Sequence, residues 1–183
     1  FIIRVNFTDH TAEPFTQAAV SSVMNGVVSE SILAMSYGKT WINATVSANL
    51  YTLPETAAYY SNGGTNSLNS ALLRDARNVF RNTRTGADAA INIGPVNNSG
   101  SGGGGGLGDF DIVGITFSSI GMASGSVTYA GLAGGGDLWM QGSNSARVFI
   151  HEFGHNYGIG HSSSWDVTSG NPVDPAGTST EYG

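Results

Sequence analysis

The chain contains no cysteine and one lysine, and charged residues make up 11% of its 183 positions. The absence of cysteine excludes a disulfide framework, a thiolate metal site and a thiol nucleophile. Seven basic against thirteen acidic residues give a net charge of −6, with no basic cluster. Nucleic acid is therefore not expected as a partner, because neutralising phosphates requires concentrated positive charge. No apolar run approaches the roughly 20 residues of a membrane-spanning helix, so no membrane span is expected.

Hydrophobic residues make up 40% of the chain, which is enough to form a packed core at this length. We therefore predict one domain over residues 1–183. The chain begins at Phe1 in an apolar segment, without a charged leader before it. This start predicts a mature or excised piece from which a signal segment has been removed.

The order of apolar segments predicts an α+β domain in which strands and helices are interspersed around a mixed sheet. Strands are expected at 1–7, 40–53, 111–118, 126–130 and 137–141. Long amphipathic helices are expected at 13–35 and 65–82, and a third begins near 143–145 and ends at Gly158.

Three further features follow from the same patterns. The apolar positions of the first helix are expected to face the core; they are Val20, Val23, Met24, Val27, Val28 and Ile32. Residues 97–108, which include five consecutive glycines, are predicted to form a flexible surface loop. The tail from 162 to 183 is expected to be irregular.

Three of the four histidines lie in the segment HEFGHNYGIGH at 151–161. On a helix, residues i and i+4 project from the same side, so His151 and His155 can bind one ion. Gly158 allows the turn that brings His161 to that ion. Three neutral imidazoles leave coordination positions open, as in catalytic rather than structural zinc sites. Glu152 lies one step round the helix, where it can reach a water held by the ion.

A chance match to this pattern is roughly a one-in-10⁵ event at this composition. The alternatives are histidines that only cap a helix end, or a metal site without catalysis that gives Glu152 no role. Glu181 is an alternative third ligand, and Tyr182 is a further candidate to approach the metal. Asp109 and Asp111 are either a calcium site or a solvated acidic turn.

The pattern His-Glu-x-x-His-x-x-Gly-x-x-His resembles the signature of the metzincins, a clan of zinc endopeptidases. The order of elements is similar to that of the amino-terminal half of a metzincin catalytic domain. Residues 36–39 (Ser-Tyr-Gly-Lys) and 181–183 (Glu-Tyr-Gly) resemble the gametolysin-type branch. Ser162 resembles the matrixins instead, and the branch stays open.

The resemblance implies a twisted, mixed five-stranded sheet with two long helices and a metal-binding helix. It also implies one catalytic Zn²⁺ on His151, His155 and His161, with Glu152 as general base. Metzincins carry a methionine turn downstream of the third histidine, whereas all four methionines here lie upstream of it. We therefore expect the chain to be mainly the amino-terminal subdomain, without the methionine-turn region.

The expected function is a secreted, extracellular zinc endopeptidase, monomeric, acting on protein or peptide substrates. An extended substrate would add as a strand to an exposed sheet edge, for which 131–135 is the candidate segment. The glycines in that segment are otherwise an ordinary hairpin turn. The alternative function is a zinc-containing binding or adhesion module that keeps the fold but does not turn over substrate.

Overall fold

The computed structural model describes residues 1–62, 67–95, 108–120, 129–167 and 176–181. Within these residues, five strands form one sheet in the order β2-β1-β3-β5-β4. They are β1 (Ile2–Asn6), β2 (Val46–Thr52), β3 (Val113–Phe117), β4 (Gly131–Gly134) and β5 (Asp137–Gln141). The first four strands of that order run parallel, and β4 runs antiparallel to β5 at one edge. The prediction of a mixed α+β fold with a mixed five-stranded sheet is confirmed at this level.

The helices of the described residues are α1 (Gln17–Val23), α2 (Ser29–Met35), α3 (Ala57–Asn62), α4 (Ser67–Thr83) and α5 (Ala146–Asn156). α1 and α2 are continuous through a π-helical turn at Met24–Val28, where the backbone of Gly26 leaves helical geometry. Together they form the first long helix predicted, and α4 forms the second.

Helices cover both faces of the sheet because successive strand residues point to opposite sides. Ile3 of β1 and Trp139 of β5 pack in a core with side chains of α3 and α4. Ile2 and Leu138, one position away, pack in a second core with α1, α2 and α5. The second core therefore fixes α5 against the sheet.

The helix spanning Gln17–Met35 is long and apolar enough, by length and composition alone, to cross a membrane. Length and apolar composition are weak evidence for a span, because the core helix of a folded domain has the same properties. Of the residues in the apolar part of this helix, 22% are buried. The buried residues form one stripe that packs in the second core: Val20, Met24, Val28 and Ile32.

The first helix differs from its prediction in its start and on one side. It begins at Gln17 rather than near residue 13, since the Thr16 hydroxyl accepts a hydrogen bond from Ala19 N and caps it. Glu13 instead pairs with the buried Arg4. Val27 was expected in the core but is 50% exposed, because the buried stripe follows i+4 spacing and Val27 lies beside it.

The second strand begins at Val46 rather than Thr40. In the segment just before β2, backbone groups form hydrogen bonds with side chains of the first helix instead of with a neighbouring strand. The Ser29 hydroxyl bonds the backbone of Ile42, and the Asn25 amide bonds that of Ala44. α3 had no counterpart in the sequence prediction.

The carboxy-terminal tail is not irregular, so that prediction was wrong. β6 (Ser163–Val167) and β7 (Gly177–Glu181) pair antiparallel. The segment is rich in Ser and Thr and shows little apolar alternation, which is the signal that identifies strands.

Of the strand predicted at 126–130, residues 126–128 lie outside the described part, and the partner of β5 is β4 instead. The glycine-rich loop lies outside the described residues from 97 to 107.

Candidate metal centre

α5 carries the predicted metal-binding motif on the side away from its anchoring residues. Phe149 and Phe153 are buried one turn apart in the second core. His151 and His155 project from the same helix at i, i+4 spacing and remain accessible. The two phenylalanines therefore fix the helix while the imidazoles face outward.

The helix ends in the turn predicted from Gly158. The N–H of Gly158 bonds the carbonyl of His155 at 3.0 Å, and Ile159 N–H bonds that of Gly154 at 2.9 Å. This pair of bonds is the Schellman arrangement, which requires a left-handed residue at the position after the cap. Gly158 supplies it with φ +80°, and the reversed chain returns His161 to the other two histidines.

The three imidazoles converge through their Nε2 atoms. His151 Nε2 lies 3.2 Å from His155 Nε2 and 3.2 Å from His161 Nε2. Tetrahedral ligands at about 2.0–2.1 Å from one zinc ion are about 3.3–3.4 Å apart. The observed spacing is therefore close to that of ligands sharing an ion, and the three residues predicted as ligands are brought together.

One ring has its proton position fixed by the backbone. His155 Nδ1 lies 2.9 Å from the carbonyl oxygen of Ile159, and a carbonyl can only accept, so Nδ1–H donates. In the neutral ring, the lone pair is then on Nε2, the atom that faces His151. Metal-binding histidines commonly orient their second nitrogen on such an outer partner. The Ile159 carbonyl is a component that the motif itself does not reveal.

The electrostatics favour neutral imidazole at His151. Partial desolvation lowers its pKa below the ordinary value, and the neighbouring cationic forms of His155 and His161 and the charge of Arg147 act in the same direction. A neutral ring is the form that binds a metal.

Glu152 lies on a different side of α5 from the histidines and is only 5% exposed. Burial raises the pKa of its carboxyl group, while the nearby His155 and His161 oppose the rise. The carboxyl is thus both desolvated and within electrostatic range of two of the three rings, those of His155 and His161. The side chain packs directly against Gly131 of the edge strand, a contact that sequence reasoning did not find.

An apolar cavity of about 700 Å³ opens beside the histidine rings. Its apolar lining comes from the end of α2, from α5 and from the chain that follows: Ile32, Met35, Val148, Ile150, Tyr157 and Ile159. A cavity of this size and lining, next to convergent polar atoms, is typical of a ligand site.

Other sequence candidates are not part of this cluster. Within the described residues, the three histidines are the one group of three or more His, Asp or Glu side chains close enough to share an ion. Asp109 and Asp111 belong to no such group. Tyr182 and the side chain of Glu181 lie outside the described part.

Comparison with known proteins gives no relative. No protein-family model matches the chain, and neither a curated protein nor a solved structure matches it. Function is therefore inferred from the residues of the site.

Proposed function

We propose that this chain is a zinc-dependent endopeptidase of the metzincin type that hydrolyses peptide bonds of protein substrates. The observation that carries the proposal is the convergence of three imidazole Nε2 atoms, two of them on the helix that also carries the buried Glu152. The spacing 151–155–161 with glutamate at 152 supports this class over a purely structural site, since three protein ligands leave a position open for chemistry.

The residues that fit Zn²⁺ are His151, His155 and His161. When bound, zinc supplies Lewis acidity that polarises a carbonyl and acidifies water. Glu152 acts as general base, accepting a proton from the attacking water at a carboxylate oxygen and passing it to the leaving amine. Its raised pKa suits this two-way role, because a proton acceptor with a pKa nearer neutrality also donates efficiently.

The substrate is proposed to lie along β4 as an added strand. Among the described residues, β4 is at the edge of the sheet, and one side of its backbone has no strand partner there, so an extended peptide could pair with it. Glu152 packs against Gly131 of this strand, and this contact supports the proposal that the carboxyl group acts next to the substrate. The apolar cavity next to the histidines is a candidate pocket for a substrate side chain. We propose a secreted, monomeric enzyme.

The first test measures metal and turnover on the same sample. The purified chain is expected to hold about one zinc ion per molecule, because it has one set of three convergent imidazoles. It should cleave casein in a reaction that 1,10-phenanthroline stops and added zinc restores. Zinc bound without cleavage at any enzyme concentration would favour the binding or adhesion module. No zinc after gentle purification would contradict the metal site itself.

Zinc retention is expected to fall as the pH is lowered. Binding requires three neutral imidazoles, and an unperturbed histidine has a pKa of about 6.5. The lowered pKa of His151 keeps that ligand neutral at physiological pH, so protons compete with zinc for it only at more acidic pH. We expect the zinc dissociation constant to rise at least about tenfold per pH unit below about pH 6. Competition with a fluorescent chelator from pH 8 to 5 measures it, and a flat curve would contradict histidine ligation.

In the zinc-free protein, the stability contributed by neutral His151 should be lost with acid. The pKa of His151 is lower in the folded than in the unfolded chain, so the unfolded chain binds more protons below about pH 6.5. The His151 contribution to the free energy of unfolding is therefore complete at higher pH and declines as the pH falls through this range. Urea titrations of the zinc-free protein and of His151→Ala at pH 7.5 and 5.5 isolate this contribution, because Glu152, whose raised pKa acts in the opposite direction, is present in both. An equal change in both proteins would contradict it.

A further inference from the structure

α5 touches the β4–β5 hairpin at two places, four residues apart on one face of the helix. Glu152 meets Gly131 within β4, and Asn156 meets the turn that joins β4 to β5. Residues i and i+4 lie one above the other on a helix. Glu152 and Asn156 therefore contact the hairpin from the same face of α5.

The contact at Gly131 leaves no room for a side chain. A Cβ atom at this position would lie 2.8 Å from both Cγ and Oε1 of Glu152 and 3.0 Å from its Cδ. All three atoms belong to the Glu152 side chain, which can rotate away without moving the backbone. An added methyl group would therefore displace the carboxyl group rather than the helix that carries the zinc ligands.

The contact at the turn fixes the register of helix against hairpin. The Asn156 side-chain amide accepts a hydrogen bond from Gly136 N–H at 2.9 Å and donates one to the Asp137 carbonyl at 3.0 Å. The Asp137 carboxylate is paired with Arg77 of α4 on the opposite face of the sheet. Both partners of that pair are buried, so the turn is anchored from both sides.

We propose that the β4–β5 hairpin is a positioning element for Glu152, with Gly131 providing the space for its carboxyl group and Asn156 holding the helix in register. The proposal rests on the proposed function, in which Glu152 is the general base. Gly131 and Asn156 are positioning residues, since they act through Glu152. In this proposal, β4 has two roles, because it carries few side chains. Its free edge pairs with the substrate backbone, and its face toward α5 leaves space for the Glu152 carboxyl group.

The test compares matched pairs of variants. Gly131→Ala is paired with Gly114→Ala, where a Cβ would meet Ile2 Cδ1 at 2.9 Å and Leu138 Cδ2 at 3.1 Å. This control crowds the second core, which packs against α5, through side chains other than Glu152. Asn156→Ala is paired with Asn144→Ala, which removes a 3.2 Å bond to the Ala19 carbonyl just before α5. Zinc content, kcat and KM on a casein-derived peptide are measured for each.

We expect Gly131→Ala and Asn156→Ala to lower kcat about 10- to 100-fold, because a misplacement of about 1 Å can cost that much. Zinc content and KM should stay within about twofold of the unsubstituted chain. The two control variants should lose stability without this fall in kcat. Equal losses of kcat in test and control variants, or loss of zinc in the test variants, would overturn the proposal.

A second background separates positioning from general damage. In Glu152→Asp, the shorter side chain leaves space for a methyl group at position 131. Adding Gly131→Ala there should lower kcat less than threefold; the same loss in both backgrounds would contradict action through Glu152.

A readout independent of turnover uses the ¹³C carboxyl resonance of Glu152 in the zinc-free protein, assigned by its loss in Glu152→Gln. The resonance should shift in Gly131→Ala and stay in place in Gly114→Ala. If the unsubstituted chain binds zinc but does not cleave peptide, the proposed function fails, while this shift still decides whether the hairpin positions the carboxyl group. An unmoved resonance in Gly131→Ala would overturn the positioning role by itself.

Discussion

Replacing Glu152 with glutamine is expected to leave zinc bound and to lower kcat for peptide hydrolysis by about 10²- to 10⁴-fold. Glutamine has nearly the same shape as glutamate, so it fits against Gly131. Its amide does not take up the proton that the attacking water must lose. Glu152 is not one of the three converging ligands, so the metal site should be unaffected.

Glu30→Gln is the matched control for this substitution. Glu30 is an exposed glutamate in the first turn of α2, and its replacement makes the same change of charge away from the site. Elemental analysis gives the zinc content of both variants, and initial rates on a fluorogenic peptide give kcat. Turnover retained in Glu152→Gln would remove the carboxylate from the mechanism. Loss of zinc would instead make Glu152 part of the metal site.

The motif on α5 was predictable because its geometry is local. Helical spacing fixes where His151 and His155 project, and a glycine after the helix fixes how His161 returns. Neither inference needs information from elsewhere in the chain. The structure accordingly has the left-handed turn at Gly158 and brings the three rings together, while metal ligation stays a prediction.

The parts that sequence reasoning missed depend on contacts distant in the chain. The segment before β2 is bonded by Asn25 and Ser29 of the first helix, so its β-branched residues do not form the predicted strand. Nothing in the residues near Gly131 indicates that Glu152, 21 positions later, fills the space of its missing side chain. One signal was available for Asn156: it lies four residues after Glu152 and therefore shares its helix face.

The same distinction applies to the general architecture. Interspersed strands and helices predicted a mixed sheet, and the edge position of the segment at 131–135 was inferred from its small residues. β4 at the sheet edge fits that inference, and Gly135–Gly136 form the turn that was the alternative interpretation of these glycines. An edge strand and a turn occur together, because a hairpin at the end of a sheet provides both, and substrate binding along this edge stays a prediction.

Replacing His161 with alanine is expected to weaken zinc binding at least about 10²-fold, since outer-sphere partners of a ligand alone are worth 10- to 100-fold. The ring of His161 is one of three whose nitrogens lie within 4.8 Å of one another, and two imidazoles hold zinc much less tightly than three. His10→Ala is the control, because His10 is the one histidine of the chain outside the cluster. Both are dialysed against the same chelator-buffered zinc.

The result of this comparison also decides between candidate third ligands. Zinc lost from His161→Ala but kept by His10→Ala supports ligation by His161. Zinc content unchanged in His161→Ala would contradict it and transfer the role to the alternative carboxylate, Glu181, for which Glu181→Gln is the corresponding variant. Because the Gly158 turn is what returns position 161 to α5, loss of zinc in His161→Ala with α5 intact by circular dichroism would place the defect in the ligand set rather than in the helix.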